Sequence, residues 1–343
     1  MNMRKRLSTP DLLKGVAVIL MIQVHLMELF ARQSITDSLT GKISLFLGGA
    51  PAAPVFMAAM GYLMRYSRKS RIRFIKRGFE LIGLGFLLNI GLNLHLLIKI
   101  LTGTIQANPW EYILGVDILF LAGLSMIIIS LIKPLCKDHF LLYLLLAFFV
   151  SFIHQFFPEP LTDKDWKYLQ AFFYGELGWS YFPLFPWLAY PLLGYAFALL
   201  EKQEFINKLK NKKWIVLIPS LLIIVLSFNF GFETSTDLSV YYQHGWRFFL
   251  WASAFLLFWL VIFSYLNSFF KNAFVIRYLR WTGKEVTAFY IVQWLIIGNI
   301  ATAIYKTQSL SELFIWFIGI TTMTSFIVMA YSRIRSQRKK GII

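Results

Sequence analysis

Ten apolar segments succeed one another along this chain, at roughly 11–31, 43–64, 77–98, 110–132, 139–157, 181–200, 214–231, 246–267, 285–304 and 311–332. Several approach or exceed the roughly 20 residues a helix needs to cross the hydrocarbon of a bilayer. With 58% of its 343 residues hydrophobic and 15% charged, the chain could not hide its apolar surface inside a soluble globule. The connections are short, and none is long enough to fold alone. The sequence therefore predicts an all-α, polytopic membrane protein of about ten helices, forming a single domain over residues 1–343.

The basic residues give these helices a direction. The formal net charge is +17, which in a soluble chain would raise the question of nucleic acid. With the N-terminus placed in the cytoplasm, the inner side receives Arg4, Lys5, Arg6 and Lys14, the run from Arg65 to Arg77, Lys133 and Lys137. It also receives the lysines from Lys202 to Lys213, the cluster from Lys271 to Lys284, and the tail from Arg333 to Lys340. Only Arg32, Lys42, Lys99, Lys164, Lys167, Arg247 and Lys306 fall outside. This asymmetry follows the positive-inside rule and predicts that both termini are cytoplasmic. Topology and anionic lipid account for the surplus, so no nucleic-acid partner is expected.

Cys136 is the single cysteine, so no intramolecular disulfide can hold the loops. The N-terminal apolar run is long, lacks a small-residue cleavage site, and reads as a retained helix. Two prolines in GGAPAAP (48–54) should break or kink the second segment, at nearly the depth of His25. The loops 158–180 and 232–247 mix acids, among them Asp163, Asp165 and Glu233, with tryptophan and tyrosine. No internal repeat is evident, which weighs against an inverted-repeat transporter.

Chemistry is expected first on the segment DLLKGVAVILMIQVHLMELFAR (11–32). Lys14 and His25, eleven positions apart, return to within roughly 20° of one helix face and lie roughly 16 Å apart along the axis. Glu28 follows His25 at i+3, within reach of its ring. Ionisable groups inside a bilayer are costly and tend to face a protein interior or a wet cavity. His25 is the candidate general base, with Glu28 beside it; the bland reading is a histidine that only bridges helices. Lys14 could meet an anionic group entering from the cytoplasm, or could snorkel or pair with Asp11 at i−3.

Further candidates lie along the chain. The stretch RYSRKSRIRFIKR (65–77), with Arg71, Arg73, Lys76 and Arg77, is either a topology anchor or a dock for a polyphosphate such as the nucleotide of coenzyme A. Arg77 and Glu80 are spaced for an intrahelical ion pair. Asn89 and Asn93 share a face of the third segment and could hydrogen-bond a sugar or another helix. Asp117 reads as an intramembrane acid. Glu176, Trp179 and Tyr181 suit either carbohydrate stacking or an interfacial aromatic belt. His95, His139, His154 and His244 are not spaced as a metal cluster, so no metal is expected.

At these residues the chain resembles the transmembrane acyltransferase superfamily. It is most like bacterial relatives of the heparan-alpha-glucosaminide N-acetyltransferase catalytic domain and more distantly similar to the acyltransferase 3 family. RLSTPDLLKGVAVILMIQVH (6–25) looks like the family's opening R-x-x-x-x-D-x-x-[RK]-G helix, with the [RK]-x10-H spacing of acyltransferase 3 proteins. PVFMAAMGYLM (54–64), RGFELIGLGFLLN (77–89), LGVDILFLAGLS (114–125) and YFPLFPWLAYPLLGYAFA (181–198) look like further family helices. WTGKEVTAFYIVQW (281–294) resembles a G-x-x-S-x-x-x-Y-x-x-H segment. There are departures: Gln293 stands where many relatives have histidine, Glu80 replaces the second arginine of an R-x-x-R pattern, and the human-like branch lacks histidine at the position of His25.

The resemblance implies a cytoplasmic acyl donor, usually acetyl-CoA, and a sugar hydroxyl or amine as acceptor on the far side of a bacterial inner membrane. It makes His25 the catalytic residue and Lys14 a donor-side residue. The rival reading is a transporter or flippase for an envelope saccharide, using the same charged stripe as a path. A third is a non-catalytic assembly partner with a structural His25.

Overall fold

The computed structural model describes residues 8–159, 165–203 and 212–339. Arg4, Lys5 and Arg6 at the start of the opening motif, Asp163 and Lys164 in the long loop, Lys208 and Lys210 in the lysine run, and Lys340 lie outside the described residues. Among the described residues, helix dominates, and the extended pairings are isolated bridges, Ala31 with Gln308 and Val116 with Ser180. The helices of eight residues or more are α1 (Ser8–Leu29), α2 (Leu39–Gly48), α3 (Ala53–Tyr66), α4 (Arg71–Leu92), α5 (Leu94–Leu101), α6 (Ile118–Cys136) and α7 (Phe140–Ile153). They continue as α8 (Ala189–Leu200), α9 (Trp214–Leu226), α10 (Phe228–Thr236), α11 (Trp246–Phe269), α12 (Phe274–Lys284), α13 (Val286–Ile304) and α14 (Leu310–Lys339).

Among the described residues, six stretches are long and apolar enough to cross a membrane: α1, Leu39–Tyr66 across α2 and α3, α6, α11, α13, and Leu310–Arg338 within α14. Two bent pairs bring the number to 8, α4 with α5 at 61° and α9 with α10 at 70°. The other two apolar segments of the sequence fold as the shorter helices Phe140–Phe156 and Leu184–Leu200. The result is a nearly all-helical, multi-pass membrane protein in which, among the described residues, six to eight helices meet the length and composition for a span. Turns at 49–52 separate α2 from α3, as the GGAPAAP motif requires. Pro54 then sits in the first turn of α3, where a missing N–H has no helical partner to lose.

The chain divides into two compact units. The first comprises Met1–Gly48, Gly91–Ile105 and Ile262–Ile343; the second comprises Gly49–Ile90 and Gln106–Val261. In the first, α1 is the central helix and packs on α2, α12, α13 and α14. Its crossing with α12 is a contact of backbones. A Cβ on Gly15 would lie 1.8 Å from the Leu279 carbonyl oxygen, and one on Gly283 would lie 1.8 Å from that of Asp11. Small residues are what let helices approach this closely in lipid.

The second unit repeats the device between α3 and α8. A Cβ on Gly61 would lie 1.9 Å from the Pro191 carbonyl oxygen, and one on Gly194 would lie 1.9 Å from that of Ala58. Its interior holds large rings with almost no exposure, including Phe120, Tyr143, Trp187, Tyr190 and Tyr195.

Bending a span frees backbone groups, and within the first unit α13 satisfies those at the end of α4. Asn299 Nδ2 donates to the carbonyls of Gly91 and Leu295, both at 2.8 Å, while its Oδ1 accepts the His95 N–H at 2.9 Å. In hydrocarbon no water could take these roles.

Gly15→Ala and Gly283→Ala should each destabilise the protein by about 1–3 kcal/mol, because backbone rather than a yielding side chain stands in the way. Gly319→Ala, where nothing lies within 4 Å of the added carbon, should be neutral or slightly stabilising. Thermal unfolding of the detergent-solubilised variants measures the contrast.

Candidate active site

The polar face of α1 begins with an ion pair. Lys14 Nζ lies 3.1 Å from Asp11 Oδ1, and both residues are buried, at 7% and 2% exposure. Lys14 pairs with Asp11 at i−3, as its spacing allows. The pair sits beside the Gly15–Gly283 crossing, so the D-x-x-K-G motif builds a helix junction as well as carrying a cation.

Eleven residues on, His25 is partly buried, but its ring is not bonded to Glu28. No hydrogen bond or ion pair joins the two side chains. The imidazole meets α13 instead: Gln293 Nε2 lies 3.4 Å from His25 Nδ1, and the Trp294 ring packs on the imidazole with centroids 4.0 Å apart. Helical spacing identified a neighbour on the same helix, but a neighbouring helix supplies the partner. Gln293 is fully buried and its Oε1 has no partner, as is true of Trp294 Nε1.

In the second unit, four of the substrate candidates converge. Asn89 Nδ2 donates to the carbonyls of Ile113 (3.0 Å) and Gly115 (2.7 Å). The next residue, Val116, takes the Trp179 carbonyl with its N–H at 2.7 Å and gives its own carbonyl to the Tyr181 N–H at 3.0 Å. Asp117 follows, and its carboxylate accepts the Ile118 N–H as the cap of α6. The sequence reading of Asp117 inside a span is thereby corrected: residues 110–117 form a short helix and an extended link, and the span begins at Ile118. Trp179 is partly buried with Lys167 Nζ 5.6 Å from its ring, Tyr181 is exposed, and Glu176 is exposed. Asn93 lies four residues after Asn89, just past the end of α4. It is the turn residue between α4 and α5, and it belongs to the first unit.

The cationic stretch opens α4. Arg71, Arg73 and Lys76 are exposed, and Arg77 donates to Glu80 at 3.0 Å as its spacing predicts. The first turn contains no acid. Basic residues at the positive end of a helix dipole are unfavourable unless an anion compensates them, and helix N-termini bind anions readily. Arg65, just before, is held by Asp138 at 2.8 Å.

His244 has a place in the fold that its spacing in the sequence does not announce. It is 1% exposed, packs edge-on against Trp187, and joins two elements of the second unit. Its Nδ1 donates to the Tyr241 carbonyl at 2.7 Å, which leaves Nε2 to accept from Tyr190 OH at 2.9 Å. Trp187 Nε1 donates to the Tyr242 carbonyl at 2.8 Å, and His154 Nε2 to that of Gln243 at 2.9 Å. The signal in the sequence was FPLFPWLAY (182–190), whose Trp187 and Tyr190 grip this loop. Burial holds His244 down to about 3, well below the usual 6.5.

Two measurements follow. Lys14→Met removes the ammonium that lies 3.1 Å from the buried Asp11 carboxylate and should cost about 3–5 kcal/mol, much of it recovered when Asp11→Leu is added. For His244, the unfolded chain binds the extra proton between pH 6.5 and about 3, so stability falls with falling pH across that window. Over pH 6.5 to 5, His244→Gln should lose less stability than the parent, by up to about 1.4 kcal/mol per pH unit.

With this geometry in hand, comparison with known proteins gives one positive result. Residues 6–244 match the family model described as Heparan-alpha-glucosaminide N-acetyltransferase, catalytic. The match takes in α1, the cationic start of α4, the 114–117 link and the His244 loop, and stops before α13. No curated protein and no solved structure matches the chain.

Proposed function

Because the chain belongs to the heparan-alpha-glucosaminide N-acetyltransferase catalytic family, a family of membrane acetyltransferase type, we propose that it moves an acyl group, acetyl first of all, from cytoplasmic acyl-CoA to a hydroxyl or amine of a cell-envelope glycan or glycolipid. Its setting in this reading is a bacterial inner membrane, with both termini in the cytoplasm.

The observation that carries the donor side is the acid-free first turn of α4. Arg71, Arg73 and Lys76 stand there exposed, with Arg77 behind them, and the pyrophosphate and 3′-phosphate of a coenzyme A nucleotide are the kind of anion such a group holds. Lys14 is assigned to the donor side with its ion pair to Asp11 in place. His25 is assigned as the general base and Glu28 as its companion. Asn89, Asp117, Trp179 and Tyr181, gathered around the 114–117 link, are assigned to the saccharide, along with Glu176 and Asn93. For Asn89 the assignment is indirect, since its amide hydrogens hold backbone carbonyls.

The test supplies labelled acetyl-CoA and candidate envelope glycans to the purified protein. Label should pass to the glycan, and His25→Ala should slow transfer by about 10²–10⁴-fold. Full transfer by His25→Ala would remove that residue from catalysis, and glycan movement without acyl transfer would favour a transporter. Arg71→Ala with Arg73→Ala should raise the KM for acyl-CoA roughly tenfold and weaken thermal stabilisation by coenzyme A.

A further inference from the structure

α13 lies beyond the part of the chain that matches the family, yet it supplies the groups that touch the His25 ring. Gln293 faces Nδ1 and Trp294 covers one face of the imidazole, while His25 itself keeps some exposure. With Nδ1 occupied, Nε2 is the nitrogen left to meet anything else.

We propose that Gln293 is a positioning residue for His25: it holds Nδ1 and thereby makes Nε2 the reactive nitrogen. This rests on the catalytic reading of His25 above. A neutral imidazole has one N–H, and the bond made at one nitrogen decides whether the other is a donor or an acceptor. The two ends of a glutamine amide exchange by a half-turn about its last side-chain bond. With the carbonyl turned to Nδ1, the proton stays there and Nε2 keeps its lone pair.

Two features point to that orientation as the working one. The 3.4 Å separation between Gln293 Nε2 and Nδ1 is long for a hydrogen bond, so the amide is not firmly held as it stands. Gln293 Oε1 is buried without a partner, and the half-turn gives it the Nδ1–H while Nε2 moves to the place it leaves.

The proton then has a closed path. Nε2 takes it from the acceptor hydroxyl or amine as that oxygen or nitrogen bonds to the acyl carbon. The carbon–sulfur bond breaks, and Nε2 returns the proton to the coenzyme A thiolate. Nδ1–H remains on the Gln293 carbonyl throughout.

The test reads the tautomer directly, by nitrogen NMR of the ¹⁵N-histidine-labelled, detergent-solubilised protein. The His25 signals are assigned by their loss in His25→Ala. The parent and Gln293→Glu, whose carboxylate can only accept, should both show His25 protonated at Nδ1. Gln293→Met, similar in volume but without a strong acceptor, should show a mixture of tautomers. It should also lose at least tenfold in kcat with the KM for acyl-CoA unchanged, and unfold within a few degrees of the parent. A parent protonated at Nε2, or a spectrum identical in all three proteins, overturns the proposal. The spectrum is read whether or not transfer occurs, so normal transfer by His25→Ala would sink the catalytic reading alone.

Discussion

Helices in lipid gain little by burying leucine against leucine, so where they meet is decided by how closely their backbones can approach. In the first unit that decision is made at Gly15 and Gly283, where each helix offers a carbonyl to the place a Cβ would fill. Once α1 and α12 are locked there, the carboxylate of Asp11 and the ammonium of Lys14 are enclosed together, and neither can be exchanged for the other's neighbour at will. α13, which follows α12 after a single residue, is thereby delivered along the same helix, and with it come Gln293 and Trp294. The surroundings of His25 are thus a downstream product of a glycine contact more than two turns away on the same helix.

Much of this was legible in the order of the residues. Each apolar segment of the sequence contains helix, the GGAPAAP motif broke its span, and the i, i+3 pairs Asp11–Lys14 and Arg77–Glu80 formed. These are local outcomes, set by a residue and its neighbours within one turn. Span ends were harder. The segment 110–132 reads as one span, yet Asn108 and Pro109 start a separate short helix and Asp117 caps the next. An aspartate ahead of an apolar run reads equally as a buried acid or as a cap, and only the backbone angle at that residue tells which.

The site was legible in part for the same reason. That Lys14 and His25 share a side of α1 follows from helical period alone, whereas the choice of Gln293 over Glu28 as the partner of His25 depends on how α13 is seated. His244 is the sharper lesson. It stands in a loop rich in tyrosine, where exposure would be the ordinary expectation, and it is buried because Trp187 and Tyr190 reach it from a helix some fifty residues earlier. No windowed reading joins those positions.

The bend after α4 carries a consequence of a different kind. Gly91 and Asn299 stand 208 residues apart, yet the amide of one closes the carbonyl of the other. A straight helix at 91–95 would have no use for that amide, and a bent one could not do without it in hydrocarbon. Neither half can drift alone: the kink and its remote asparagine form one heritable character, to be kept or abandoned in a single step.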